Sequence, residues 1–364
     1  MKTTTIPAGN LQSLTSEIFK AIGCSKEEAG RIAQYLLGAN LAGHDSHGVI
    51  RIPRYVQMKR DGLLVADQQV SVLVDTPVLG VLDGKRGFGQ TVGPQAVQIG
   101  IDKCKAMGLS AVTLRNAGHL GRIGDWAEMA ASSGLVSIHF VNGAGSVFVA
   151  PFGSVERRFS TAPYCVGVPL PGRPPVLLDF ATSLVAEGKV LVASQGGKPI
   201  PSDALIGPDG HPSNDTRLIY GDYPSTGKRD FRTGKGAIRA FGDHKGSGLA
   251  LMCELLGGAL TGNRCSSREG PFANGMLSIY IDPDKLDPES LFPPEATRYI
   301  AWIKSARPDQ PGGETLVPGE PEERSRKQRL AEGIPLAEET WQSIADTAQS
   351  LGIAGDRLRS IPSA

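Results

Sequence analysis

Two of the six histidines in this 364-residue chain fall within His44-Asp45-Ser46-His47-Gly48, and Arg51 and Tyr55 follow shortly after. Reduction of a carbonyl by hydride needs a proton at the oxygen as negative charge builds there. A histidine titrating near neutrality can give that proton and take it back in the reverse direction. His47 is the candidate for this role. A 2-oxo acid also carries a carboxylate, which a planar guanidinium grips through two parallel charge-assisted hydrogen bonds. Arg51 reaches the same ligand as His47 if the turn between them continues helically, because residues four apart share a helix face. The same residues also admit a purely structural role, with His44 and His47 capping a helix end and Arg51 paired to a surface carboxylate. A zinc pair is a third possibility, weakened by the lack of a cysteine or third histidine nearby in sequence.

A second cluster, Arg115-Asn116-Ala117-Gly118-His119-Leu120-Gly121-Arg122-Ile123-Gly124, lies between a strand-like and a helix-like stretch. Unpaired N–H groups point outward where a helix opens, which makes such loops natural ligand sites. His119 is a second acid-base group, a ring against the cofactor or a satisfied loop histidine, and Arg122 is either a ligand contact or a surface charge. Asn142-Gly143-Ala144-Gly145 follows a strand, but Phe148 stands where the third glycine of a dinucleotide fingerprint belongs. No acidic residue ends a second strand at the expected distance, so the Rossmann signature is absent. Gly242-Asp243-His244-Lys245-Gly246-Ser247-Gly248 opens an apolar helix and suits a phosphate or a carboxamide. Its spacing is not that of a Walker loop.

The elements that must carry these groups are legible from periodicity. Ser25 and Glu28 have capping-box spacing ahead of Ile32, Tyr35, Leu36, Leu37 and Leu41, which predicts a helix ending near Gly43. Alternation at Val70, Val72 and Val74, then Val78 to Leu82, predicts a hairpin-like pair of strands. Helices are expected over 90–107 and 123–133, strands over 110–114 and 135–141. A strongly apolar helix is expected over 244–261 and a strand over 276–281, with helical patterns returning around Ile300, Leu330 and Trp341 to Leu351. Residues 196–236 are rich in Gly, Pro, Ser and Asp with little periodicity, and read as a long surface excursion, a lid or a subunit contact, that includes Lys228-Arg229-Asp230-Phe231-Arg232. The length predicts two domains, and helical ends around a mixed middle predict an α+β protein whose termini pack together.

Composition narrows the function classes. Lys and Arg total 38 against 37 Asp and Glu, a net charge of +1, and the cluster from Arg324 to Arg329 follows Glu320, Glu322 and Glu323, so it reads as a solvated helix face rather than a nucleic-acid patch. Five cysteines at 24, 104, 165, 253 and 265, without a Cys-x-x-Cys pair, read as reduced thiols. Neither a signal peptide nor an 18-residue apolar run is present, so the expected address is the cytoplasm, with no membrane and no nucleic-acid partner.

Taken in order, Asp45-Ser46-His47-Gly48 with Arg51-Ile52-Pro53-Arg54-Tyr55, His119-Leu120-Gly121, Leu178-Asp179-Phe180-Ala181-Thr182-Ser183, His244-Lys245-Gly246-Ser247-Gly248-Leu249-Ala250 and Val317-Pro318-Gly319-Glu320 resemble the type-2 malate/L-lactate dehydrogenase family. The resemblance runs nearly end to end, and within the family it is nearest the hydroxycarboxylate dehydrogenase branch. It implies an α+β, non-Rossmann NAD(P)-binding fold: a mixed, largely antiparallel sheet over 76–289, and a helical domain made from 1–75 with 290–364. It implies reversible hydride transfer between NAD(P)H and a small 2-oxo or 2-hydroxy acid, no metal, and a homodimer with the active site near the subunit contact.

Carried over by position, Ser46 and His47 supply the proton donor and its polar neighbour, His119 a further acid-base group, and Arg51 the carboxylate contact. Thr161 matches a Thr-Asn-Pro motif near cofactor and substrate, although Ala162 replaces the asparagine. Asp179, Phe180, Ala181, Thr182, His244, Lys245, Gly319 and Glu320 match cofactor contacts. The lack of Arg or Lys over 140–149 leans toward NAD over NADP, whose 2′-phosphate calls for a cation. The same lineage includes cyclic-imine carboxylate (piperideine or pyrroline-2-carboxylate) reductases and sugar-acid or ureidoglycolate dehydrogenases. Outside it, the rivals are a metal-dependent hydrolase using His44 and His47 and a catalytically inert nucleotide-binding regulator.

Overall fold

The computed structural model of the chain describes residues 3–224 and 229–353. Lys228 of the Gly/Pro-rich excursion and residues 354–364 of the C-terminal part lie outside the described residues.

A seven-stranded sheet forms the middle of the protein. Across it run Ser71–Asp75, Leu79–Asp83, Leu109–Ala117, Ala273–Ile281, Val136–Ala144, Pro163–Leu170 and Arg173–Ala181. Every neighbouring pair is antiparallel except Leu79–Asp83 with Leu109–Ala117. The strand latest in sequence is therefore inserted at the centre, between two strands far earlier in the chain. Helices Gly89–Met107 and Gly124–Ser132 bury Val92, Val97, Ile101 and Trp126 against Leu114, Val141, Met276 and Tyr280 of the sheet. Gly108, with φ of 90°, ends the first of these helices in the left-handed conformation that a residue without Cβ adopts at no steric cost.

Toward the chain ends the sequence left two elements unseen. Thr3–Ile6 is a strand, and it pairs antiparallel with Ile334–Ala337, in a region where only helices were expected. Ile6, Leu11, Ile18, Ile32, Leu36 and Tyr55 share a core cluster with Ile334, Leu336 and Ile344.

The helix cap is half as expected. Ser25 Oγ accepts from the Glu28 N–H at 3.1 Å, but the Glu28 carboxylate turns away, accepting from the Asp67 N–H at 2.7 Å and the Thr91 hydroxyl at 2.7 Å. The Ser25 N–H donates instead to Asp67 at 3.0 Å. A tertiary carboxylate thus takes the place of the local one, since Glu28 is needed to join helix Lys26–Leu41 to helix Gly89–Met107.

Residues 196–236 depart most from the sequence expectation. They contain short strands Leu205–Ile206 and Pro212–Ser213 and a helical turn Arg217–Tyr220, and they bury Ile200, Leu205, Ile219 and Tyr220 in a core shared with Phe148 and Val149. Their backbone is tied down by buried Arg157, whose guanidinium donates to the carbonyls of Phe231, Gly234 and Gly236, among others. A single cation can therefore satisfy irregular backbone that has no ladder of its own.

The expected helix over 244–261 is α-helical only over His244–Cys253, then widens to a π-turn over Glu254–Ala259. The widening seats Gly257 against strand Val136–Ala144, where an added Cβ would stand 2.7 Å from the Phe140 carbonyl oxygen. Among the described residues no helix is long and apolar enough to cross a membrane.

Candidate active site

Helix Lys26–Leu41 ends in a turn at Gly43, and two single 3-10 turns follow, Asp45–His47 and Val49–Arg51, before helix Ile52–Arg60 resumes. His47 and Arg51 are therefore not on one continuous helical face, as their spacing suggested, because Gly48 breaks the path in an extended conformation. Asn40 holds this path: its amide donates to Asp45 at 2.7 Å and its carbonyl oxygen accepts from the Val49 N–H at 2.8 Å. From the far end of the chain, Arg329 forks onto the Asp45 carboxylate, and Glu322 pairs with His44 at 3.1 Å. The helix expected to be merely solvated thus braces the loop that carries His47. His44 faces Glu322 rather than joining His47 as a metal pair.

A cavity of about 230 Å³ opens beside this loop. Ser46, His47, Arg51, His119 and Thr161 line it, as do Asp179, Phe180 and Ala181. Within it the Ser46 hydroxyl and His47 Nδ1 are 2.9 Å apart. His119 stacks on His47 with ring centroids 5.6 Å apart. Its Nδ1 meets the Tyr55 hydroxyl at 2.5 Å, while the Gln90 amide donates to that hydroxyl at 3.4 Å. The Tyr55 proton is thereby directed to His119 Nδ1, which leaves the His119 proton on Nε2.

Burial, followed by the Arg51 charge, holds both His47 and His119 well below the ordinary imidazole range, so both rings are neutral near pH 7. Burial also pushes the Tyr55 hydroxyl up to about 12, keeping it a proton-bearing donor.

The charged wall was only half legible in sequence. Arg51 Nη1 pairs with Glu187 at 3.2 Å, both side chains being buried, and Tyr220 donates to the other Glu187 oxygen at 3.0 Å. Burial alone would raise the Glu187 carboxyl, yet Arg51 and Arg54 together hold it below its usual value. Glu187 opens helix Glu187–Ser194 and belongs to no motif, so nothing in the sequence pointed to it. Arg54, Tyr55 and Phe272 also line the cavity; the first two stand inside the motif that carried the family resemblance, and Phe272 had no signal.

The expected cofactor contacts separate into two groups. Asp179 accepts from the Gly124 N–H at 2.7 Å at the start of helix Gly124–Ser132. Phe180 packs edge-on to Tyr164 and Phe241. Thr182 is buried, its hydroxyl donating to the Ala162 carbonyl at 2.8 Å. His244 and Lys245 are exposed at the start of their helix and do not line the cavity. Gly319 and Glu320 begin helix Glu320–Glu332 away from it, where Glu320 pairs with Lys304.

Part of the cavity lining is made of small residues and hydroxyl-bearing side chains. Gly143, Ala162 and Ala181 bring little side chain to it, and Ser146, Ser160 and Thr161 line it beside them, the Ser160 hydroxyl donating to Glu254 at 3.1 Å. A flat ring with one carboxamide fits such a surface of small residues and hydroxyls.

Comparison with known proteins agrees with this chemistry. A family model described as malate/L-lactate dehydrogenase matches residues 6–345. Hydroxycarboxylate dehydrogenase B of Escherichia coli strain K12 is 38% identical over 97% of this chain and 96% of its own length. L-lactate dehydrogenase of Cupriavidus necator is 33% identical, covering 94% and 97%. An E. coli chain solved as a candidate malate/lactate dehydrogenase superposes with a TM-score of 0.89 at 36% identity, over 98% of both chains.

Proposed function

Because this chain belongs to the malate/L-lactate dehydrogenase family, a family of 2-hydroxy acid oxidoreductases, we propose that it moves hydride reversibly between NAD(P)H and C2 of a small 2-oxo acid, with His47 handling the proton. The observation that carries this proposal is the convergence in one cavity of two stacked, neutral imidazoles with a wall of buried guanidinium groups.

A bound reduced nicotinamide supplies the hydride. His47, its Nδ1 engaged by Ser46, presents its other nitrogen as the donor to the carbonyl oxygen, and recovers a proton there in the oxidative direction. The arriving carboxylate raises the proton affinity of both buried rings, since an anion nearby favours imidazolium. The donor is thus charged only when substrate is in place. The Nε2–H of His119 offers a second hydrogen bond to the developing alkoxide. Arg51 and its neighbours on the same wall provide the positive field for the carboxylate. Thr161 stands at the substrate side, and Asp179, Phe180, Ala181, Thr182, His244, Lys245, Gly319 and Glu320 are assigned to the cofactor.

The assignment extends to several finer points. NAD is the preferred cofactor, since no Arg or Lys stands over 140–149 to meet a 2′-phosphate. The binding is non-Rossmann: only one neighbouring strand pair of the sheet is parallel, while a Rossmann half needs consecutive parallel strands. The two chain ends act as one largely helical domain, supported by the strand pairing and core shared between them, but its boundary falls before residue 75, because strand Ser71–Asp75 belongs to the central sheet. A homodimer accounts for Leu251, Leu255 and Leu260 being 44%, 44% and 63% exposed along one stretch. The five free cysteines suit the cytoplasm.

The deciding experiment is a spectrophotometric panel of 2-oxo acids, with cyclic imine carboxylates alongside, run with NADH and with NADPH. Acid-dependent oxidation of NADH is expected. Oxidation supported only by the imines, or by no compound at all, refutes the assignment.

A further inference from the structure

Resting on the dehydrogenase function above, with the nicotinamide ring at the small-residue part of the cavity, we infer that Glu254 is a positioning residue that tunes the cofactor. Its buried carboxylate, one hydrogen bond behind Ser160, favours the positively charged oxidised ring over the neutral reduced one.

Glu254 opens the π-turn Glu254–Ala259 and is only 4% exposed. Such turns are frequent at functional sites. One carboxylate oxygen, Oε1, accepts from the hydroxyls of Ser160 at 3.1 Å and Ser266 at 2.6 Å. The other, Oε2, accepts from Asn142 Nδ2 at 3.2 Å and from the Ser266 N–H at 2.7 Å. All four donors are neutral, and among the described residues Glu254 makes no ion pair.

Hydrogen bonding alone does not call for a charge at this position. The Ser266 hydroxyl has a second acceptor in the Gly143 carbonyl at 3.1 Å, and the Ser160 hydroxyl is free to turn. A glutamine would therefore serve the same four groups, its oxygen taking the two N–H donors and its amide nitrogen the two hydroxyl oxygens. A buried carboxylate without a cation is costlier than that amide, because neutral dipoles replace only part of its hydration. The excess cost is offset when a cation arrives nearby.

The oxidised nicotinamide is such a cation, since its ring carries a positive charge that the reduced form lacks. Ser160 lines the cavity together with Gly143, Thr161 and Ala162, and Glu254 is its immediate partner on the far side. The same bond keeps the Ser160 proton on Glu254, which leaves the hydroxyl oxygen, the negative end of the dipole, for the cavity. The other carboxylates of the lining are met locally. Glu187 faces Arg51. Asp179 takes the Gly124 N–H at the positive end of helix Gly124–Ser132 and lies in the field of Arg122. Arg51, Arg54 and Lys189 also line the cavity, but their field is common to the parent and to any variant of Glu254, so it cancels in the comparison.

Isothermal titration calorimetry of NAD+ and of NADH, without any acid substrate, tests this, the NADP pair being used where it binds more tightly. In Glu254→Gln the ratio of the oxidised to the reduced cofactor's dissociation constant should rise roughly 10-fold, the scale of one charge a few ångströms away at protein dielectric. The rise should come chiefly from weaker binding of the oxidised form, with the melting temperature holding. Ser160→Ala keeps the charge and should move the ratio by roughly threefold at most. Glu254→Asp draws the charge back from the wall by one methylene and should raise the ratio by a smaller factor than Glu254→Gln; it carries the test alone if Glu254→Gln does not fold. Equal weakening of both redox forms, the result expected of a purely structural anchor, or an unchanged ratio, overturns the inference while leaving the dehydrogenase function intact. A parent enzyme that binds neither dinucleotide in either redox state overturns both.

Discussion

The imidazole of His119 lies over that of His47 with an interplanar angle of 11°, although one ring comes from a loop after a strand and the other from a turn after a helix. In the proposed reaction the two rings, neutral without substrate, divide the work of a proton transfer: one, charged once the substrate carboxylate arrives, gives up its proton, and the other hydrogen-bonds the oxygen on which charge builds.

Replacing each ring in turn separates these roles. His47→Asn should lower kcat by roughly 100- to 10,000-fold, the range for loss of a general acid, with NADH affinity retained in a fluorescence titration. His119→Asn should cost less in kcat. If His119→Asn proves the more damaging in single-turnover measurements, the donor is His119.

Tyr55 acts through His119. Its hydroxyl is the partner of His119 Nδ1, and Tyr55→Phe leaves that nitrogen unmet in a buried site, at a cost of about 1–3 kcal/mol. A lowered melting temperature and reduced kcat are expected. Because the two residues form one hydrogen-bonded unit, Tyr55→Phe should add little to a His119→Asn background; full additivity would show that they act independently.

The stability of the protein should fall as the medium is acidified. His139 is buried between the hydroxyls of Ser278 and Ser137, at 2.8 and 3.0 Å, and burial pulls its pKa down to about 3. An unfolded histidine titrates near 6.5. Below that value the unfolded chain binds a proton that the folded chain refuses, so the stability contributed by neutral His139 is present above about pH 6.5 and lost as pH falls toward 3. Urea denaturation of His139→Gln between pH 6 and pH 4 should show a slope shallower than the parent by about 1.4 kcal/mol per pH unit. Equal slopes would show that His139 does not carry this dependence.

Gly188 tests the packing behind the site. A Cβ there would stand 2.5 Å from the Ser46 Cβ and 2.9 Å from the Ser46 Cα, a contact relieved only by moving the His47 loop. Gly188→Ala should destabilise by about 1–3 kcal/mol and lower kcat more than it weakens NADH binding. Gly30, inside helix Lys26–Leu41, is the control, because a Cβ added there would meet nothing within 4 Å. Gly30→Ala should stabilise by about 0.5–1 kcal/mol without changing turnover. Equal effects of the two substitutions on kcat would refute the packing argument.

What the sequence by itself determined is whatever neighbouring residues decide among themselves. Helix Gly89–Met107 and its stop at Gly108, the alternating strands Ser71–Asp75 and Leu79–Asp83, and the neighbouring pair Ser46-His47 follow from local periodicity, turn chemistry and motif. The tertiary structure decided everything that depends on residues distant in the chain. It took Glu28 from its own helix cap to Thr91, gave residues 196–236 a core by way of Arg157, and set Glu187 against Arg51. The physical reason is that a charged side chain directs its interaction to whichever opposite charge or carbonyl the fold brings within reach. No spacing along one segment records where that partner will come from.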